Sequence, residues 1–249
     1  MKLLSKIVGA STVAVAEAFS LSPVLAAPAD YVYVPTVTYG EHEIDFKAGT
    51  GKISGVDRET DSSLGYGYGV TDKWFTEFYG KYKKADGNGT AFDAFEWENK
   101  FQLTQTGEYP VDFGLITEIE RPHDRREGYE VKFGPLFQTE VGKTQLNLNV
   151  LFQRNYRAAE ANPLKLGYQV QARYRWIQAL DFGVQGFGDF GKWNHFAPRS
   201  EQSHIFGPAI FGKIPLGGRH SIVYNAAYLA SVGSAPHSNT FRTQIEYEF

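Results

Sequence analysis

From Phe241 to the last residue the chain alternates without a break. Phe241, Thr243, Ile245, Tyr247 and Phe249 occupy one parity, and Arg242, Gln244, Glu246 and Glu248 the other. Successive side chains of a β-strand face opposite sides of the sheet, so this period of two separates an apolar face from a charged one. A helix would smear the two sets around its axis, which excludes it here. The pattern recurs along the chain. Leu146, Leu148, Val150 and Phe152 oppose Gln145, Asn147, Asn149 and Gln153; Leu166, Tyr168, Val170, Ala172, Tyr174 and Trp176 oppose Gln169, Gln171, Arg173 and Arg175. Earlier, Phe95, Trp97, Phe101 and Leu103 oppose Glu96, Glu98, Lys100 and Gln102. Val111, Phe113, Leu115 and Ile119 oppose Asp112, Glu118 and Glu120, and Val131, Phe133 and Phe137 oppose Glu130, Lys132, Gln138 and Glu140.

The runs are about 9 to 13 residues long, more than the usual globular strand of about 5 to 6 and suited to a tilted crossing of a bilayer's hydrocarbon layer. They predict strands over 41–49, 62–70, 73–83, 92–104, 110–121 and 128–141, then 144–156, 165–178, 180–190, 203–214, 219–230 and 240–249. The expected fold is therefore all-β: a transmembrane, antiparallel, up-and-down β-barrel of twelve strands, with ten or fourteen as neighbouring even counts. Short turns at 70–73, 142–143, 178–179 and 215–218 alternate with longer polar stretches at 50–61, 84–91, 122–127, 157–164, 191–202 and 231–239. In bacterial barrels the short turns are periplasmic and the long loops external, so an even strand count puts both termini in the periplasm.

Composition agrees with this reading. Aromatic residues make up 15% of the chain, with 15 Tyr and 19 Phe, while mean hydropathy is negative at −0.35. Alternating strands combine the two, because every apolar residue has a polar neighbour. The first 29 residues read as a secretory signal peptide: Lys2 and Lys6 precede an apolar stretch, Glu17, Ser20 and Pro23 interrupt it too often for a membrane anchor, and cleavage is expected after Ala26 or Ala29. The barrel then occupies 30–249, with 23 basic and 27 acidic residues. No polybasic footprint for nucleic acid is present. The absence of cysteine excludes a disulfide framework, a thiolate metal site and a lipidated amino terminus.

The final Ile245-Glu246-Tyr247-Glu248-Phe249 resembles the carboxy-terminal signature of Gram-negative outer-membrane proteins. That resemblance implies residence in the bacterial outer membrane among its lipids and lipopolysaccharide. It also implies insertion by the barrel-assembly machinery, with Tyr247 and Phe249 as the assembly signal. Residues Leu64 to Trp74, LGYGYGVTDKW, are similar to a strand, turn and strand of transporter-like barrels linked to aromatic degradation pathways. The chain is read as one of an uncharacterised proteobacterial barrel family, and no substrate is carried over.

On this scaffold the charged face lines the lumen. Glu96, Glu98, Asp112, Glu118 and Glu120 project from two adjacent strands, and Lys81, Lys132, Arg173 and Arg175 from other parts of the wall. Such opposed charges set the selectivity of a channel or small-solute transporter with a charged, narrow lumen, whose solute stays undefined. The loop at 191–202 is then expected to fold over the entrance. The same charges equally pair and close the lumen. The barrel is then structural or surface-binding, and Trp193, His195 and Phe196, with Arg125 and Arg126, are its contact residues. An outer-membrane hydrolase is a third reading, but His237, Ser238 and Asn239 are adjacent in a turn, where successive side chains diverge. No cofactor is implied, and His195 with His204 is too small a set for a metal site. Gly65, Gly67 and Gly69 start a dinucleotide fingerprint that Val70 and Thr71 break. They read instead as small residues easing strand curvature, or as a bare patch of inner wall facing bulky neighbours.

Overall fold

The computed structural model describes residues 27–55, 58–85, 89–160, 162–233 and 238–249. The proposed signal sequence up to residue 26 lies outside the described residues, as does His237. Twelve antiparallel strands follow in order: β1 (His42–Ile53), β2 (Glu59–Gly69), β3 (Trp74–Ala85), β4 (Ala91–Gln102), β5 (Asp112–Pro122), β6 (Tyr129–Val141), β7 (Thr144–Tyr156), β8 (Lys165–Ile177), β9 (Leu180–Lys192), β10 (Ser203–Gly217), β11 (His220–Ser231) and β12 (Ser238–Glu248). Each pairs with its sequence neighbours, and β1 pairs with β12 to close the sheet. Closure leaves no open strand edge, which is what a sheet needs where no water is available to satisfy it.

The seam is long. Eleven residue pairs join β1 to β12, from Glu43 opposite Glu248 to Ile53 opposite Ser238, and His42 and Phe249 exchange backbone hydrogen bonds at its end. Phe249 also stacks on His42 and on Tyr247, with ring centroids 5.4 and 5.3 Å apart. The carboxy-terminal aromatic pair therefore sits on the closing seam.

At one end the connections are 70–73, 103–111, 142–143, 178–179 and 218–219; at the other they are 54–58, 86–90, 123–128, 157–164, 193–202 and 232–237. The connection at 103–111 is the long exception among the short turns. Alternation places Ile44, Phe46, Phe78, Trp97, Phe113, Leu148, Phe182 and Ile245 on the outer surface, each at least 38% exposed, where a bilayer would cover them. Inward residues include Asp45, Glu77, Glu98, Glu118, Asn149, Gln169, Gln185 and Arg242, all buried.

Two differences from the sequence reading matter. First, β1 and β2 extend further toward the loop end than predicted, so the connection expected at 50–61 contracts to 54–58. Second, the inward face is not uniformly polar. Ile116, Leu136 and Leu151 form one buried apolar cluster with Tyr33, and Phe187, Ile205, Ala209, Phe211, Ala227 and Leu229 form another with Val32. Both clusters are completed by residues that precede the first strand.

Candidate functional site: the barrel lumen and the segment that fills it

Residues 27–40 run through the lumen as an irregular, extended segment. It starts near the loop end, where Pro28 lies against Gly49 and Gly51 of β1, and finishes at the turn end, where Thr38 lies against Gly69 and the chain reverses at Gly40 into β1. The segment adds no strand, because the closed wall offers no free edge and Pro28 and Pro35 have no N–H to give. It is held by side chains of the wall instead.

Its alternation mirrors the barrel's own. Tyr31 and Tyr33 point toward β4 and β5: the Tyr31 hydroxyl donates to Glu98 Oε2 at 2.6 Å and the Tyr33 hydroxyl to Glu118. Val32 points the other way, into the apolar cluster on β9 to β11. The backbone is gripped as well. Tyr33 N donates to Gln169 Oε1 at 3.2 Å, Asn149 Nδ2 donates to Tyr33 O at 3.0 Å, Arg242 donates to Asp30 O, and Val37 N donates to Gln102 Oε1 at 2.8 Å. Lys47 Nζ sits between two rings, 3.5 Å from the Tyr31 centroid and 3.7 Å from that of Tyr79. Burying Val32 contributes about 1.5–3 kcal/mol, and phenol-to-carboxylate hydrogen bonds are stronger than neutral ones.

Removing one hydroxyl tests the latch. Tyr33→Phe keeps the ring against Ile116, Leu136 and Leu151 but leaves Glu118 without that donor. Hydrogen bonds to charged groups are worth about 1.5–3 kcal/mol. We therefore expect the segment to leave its seat roughly tenfold more often or more, read as hydrogen exchange at the Tyr33 amide that Gln169 holds; an unchanged rate would mean the hydroxyl adds nothing to the latch.

Of the residues singled out in the sequence, Lys81, Glu96, Glu98, Glu118, Glu120 and Lys132 are brought together around the two tyrosines. Lys81 Nζ bridges Glu96 at 3.0 Å and Glu120 at 2.5 Å, and Lys132 Nζ lies 2.8 Å from Glu118. Asp112, Arg173 and Arg175 stand apart, toward the turn end. Asp112 accepts from Gly107 N, Arg173 pairs with Asp181 at 2.7 Å, and Arg175 with Glu140 at 2.5 Å. The basic and acidic groups therefore do not face one another across a single constriction.

Above the tyrosines a cavity of about 610 Å³ opens toward the loop end. Its described lining carries nine carboxylates (Asp30, Glu59, Asp61, Asp93, Glu96, Glu120, Glu127, Glu130, Asp189) and five lysines (Lys47, Lys81, Lys83, Lys132, Lys165). Negative charge is in excess. Sequence reasoning assigned no role to Asp61, Glu127 or Asp189, nor to the lumen segment itself.

The expected entrance loop behaves differently from its prediction. Phe196 stacks at 5.1 Å on Phe190, an outward-facing ring of β9, so this loop is drawn onto the outer wall rather than over the mouth. Trp193, His195 and Phe196 are exposed. Arg126 is tied within its own loop to Asp124 at 2.6 Å, and hydrogen bonding from Arg126 holds the Asp124 carboxyl down at about 2. His204 has both ring nitrogens engaged, by Tyr168 and by Gln202, each at 3.0 Å. Ser238 is buried while Asn239 is exposed, so these neighbours lie on opposite faces of β12. The glycines of β2 are indeed a bare patch: a Cβ at Gly65 would run into the Tyr79 ring, and one at Gly67 into that of Phe75. Neighbouring side chains, not curvature alone, account for them.

Solved structures give the architecture its context. The NanC porin superposes with a TM-score of 0.58 at 8% identity, over 83% of this chain and 100% of that one. The COG4313 outer membrane channel from Pseudomonas putida F1 gives 0.55 at 11% identity, over 90% and 98%. The fold is that of outer-membrane β-barrels. The KdgM porin, solved in complex with disordered oligogalacturonate, gives 0.54 at 7% identity, over 83% and 99%. No protein-family model and no curated protein sequence matches the chain.

Proposed function

We propose that the protein is an outer-membrane channel for small solutes whose narrow, charged lumen is kept shut at rest by its own amino-terminal segment, and which favours cations once open. The observation that carries this reading is the seat of Tyr31 and Tyr33 on Glu98 and Glu118: the segment crosses the lumen and is held there by polar contacts rather than by strand pairing. Removal of the leader after Ala26 or Ala29 would leave this segment as the mature amino terminus. With the short turns periplasmic, Phe249 and the start of β1 lie on the periplasmic side while the mature amino terminus reaches up the lumen toward the external end; lipid and lipopolysaccharide surround the outer face, and the barrel-assembly machinery reads Tyr247 and Phe249.

Charge points to the solute class. An excess of carboxylates in a low-dielectric vestibule raises the local concentration of cations, the opposite of what an acidic oligosaccharide requires. The test is single-channel recording of the refolded mature protein in a planar bilayer under a salt gradient. We expect brief openings with a cation-selective reversal potential, and we expect Asp61→Asn with Glu127→Gln and Glu130→Gln to move that potential toward zero. The two apolar clusters that fill mid-lumen favour a second reading, a permanently closed structural barrel. That reading predicts no openings from correctly folded protein at any voltage.

A further inference from the structure

Below the Tyr31–Lys47–Tyr79 stack lies a second group of carboxylates that the latch does not use. Glu43 and Asp45 come from β1 and Glu77 from β3; across β2, Gly67 lies opposite both Glu43 and Glu77, and Gly65 opposite Asp45. The two glycines leave room for this approach, since a Cβ at Gly65 would stand 3.0 Å from Glu77 Oε1 and one at Gly67 2.9 Å from Glu43 Cγ. One oxygen from each of the three carboxylates lies within 4.8 Å of the others.

Two carboxylate oxygens of this group are orphans. Glu77 is 2% exposed, makes no ion pair among the described residues, and its Oε1 has no hydrogen-bond partner. Asp45 is fully buried; its Oδ2 accepts from Tyr79 and Gln244 and lies 3.2 Å from Lys47 Nζ, but its Oδ1 has no partner. Glu246 of β12 adds a fourth negative charge, and Lys47, Lys100 and Arg242 are cations that face the group. Four carboxylates against three cations leave negative charge in excess. Buried carboxylate oxygens without partners are strongly disfavoured.

The other acidic cluster makes the contrast. Glu96, Glu98 and Glu118 also gather within 4.8 Å, yet Lys81 serves Glu96, Tyr31 serves Glu98, and Lys132 and Tyr33 serve Glu118. The protein supplies its own counter-charges there. Glu43 and Glu77 make no ion pair among the described residues, and Asp45 meets Lys47 through one oxygen only.

We propose that Glu43, Asp45 and Glu77 bind one Ca²⁺ ion in the lower lumen, beside the amino-terminal segment. Oxygen-only ligands select a hard cation. Calcium takes oxygens at about 2.3–2.6 Å, so its ligand atoms spread up to about 5 Å from one another, whereas magnesium demands a tighter octahedron. The ion also offsets the excess negative charge, and through Asp45 it firms the position of Lys47 against Tyr31.

Isothermal titration of chelator-treated, refolded protein with Ca²⁺ alone, in a neutral detergent free of lipopolysaccharide, tests the site. One saturable site per barrel is expected. Glu77→Gln and Glu43→Gln are each expected to weaken it by about tenfold or more, because ligand charge sets calcium affinity, while Glu201→Gln, in the exposed 193–202 connection, leaves it unchanged. Heat-modifiable gel mobility establishes that each variant is folded. No saturable heat in the wild-type protein, wild-type affinity in both Glu77→Gln and Glu43→Gln, or an equal loss in Glu201→Gln would each overturn the assignment.

Discussion

Deleting residues 30–37 from the mature protein should turn a mostly silent barrel into one that conducts continuously, with a severalfold larger unitary current. The deletion removes Tyr31, Val32, Tyr33 and Pro35, which occupy the middle of the lumen, yet it takes no residue from any strand and none from the β1–β12 seam. A twelve-stranded wall is wide enough for a pore once nothing fills it. The barrel itself should persist, and its heat-dependent gel shift should remain. It should unfold at lower denaturant concentration, because Ile116, Leu136, Leu151 and the Phe187 cluster lose their apolar cover. A deletion mutant that folds but stays silent would show that the wall charges alone close the lumen, and the segment would then be filling rather than a gate.

A single substitution should reach nearly the same state. A Cβ at Gly49 would overlap the Pro28 carbonyl and stand 2.8 Å from Ala29 N, so its three nearest neighbours all belong to the lumen segment. In protein that begins at Ala27, and so keeps Pro28 and Ala29, Gly49→Val therefore pushes first on the segment. We expect open probability to rise by at least an order of magnitude with the denaturation midpoint changed far less than in the deletion. Ala48→Val, one residue away but on the outward face, is the control and should behave as wild type. Equal effects from the two would mean that β1 distortion, not expulsion of the segment, causes any opening.

Much of the wall could be read from the sequence because its code is local. Lipid outside and polar lumen inside force a period of two on every strand, so Phe241 to Phe249 or Leu146 to Phe152 state their faces without reference to the rest of the chain. The filled lumen was not read, though a clue was present. Ile116 sits on the parity of Glu118 and Glu120, Leu136 on that of Lys132 and Gln138, and Leu151 on that of Asn147 and Asn149. An apolar side chain on a lumen face asks for an apolar partner inside the barrel. Residues 27–40 provide it, but Pro28 and Pro35 break any strand signal, and the only alternating stretch is Tyr31-Val32-Tyr33.

Pairing of charges was harder for a different reason. Alternation tells which face a residue occupies but not its height along the barrel. Arg173 and Arg175 share a face with Glu96 and Glu98, yet register sets them level with Asp181 and Glu140. Height depends on register accumulated around the whole sheet, and no single strand carries it.

The reversal at Gly40 joins the stopper to the wall through a turn of a few residues, with Gly40 N bonded to Gly69 O and Arg219 to Gly40 O. Tethering makes reclosure an intramolecular event, so the stopper's effective concentration at its seat is of millimolar order however little protein the membrane holds. Closing kinetics should therefore be independent of barrel density. A free peptide spanning residues 30–37 would compete for a vacated lumen only at similar concentrations, and any ligand that opens the channel must outcompete a neighbour that never diffuses away.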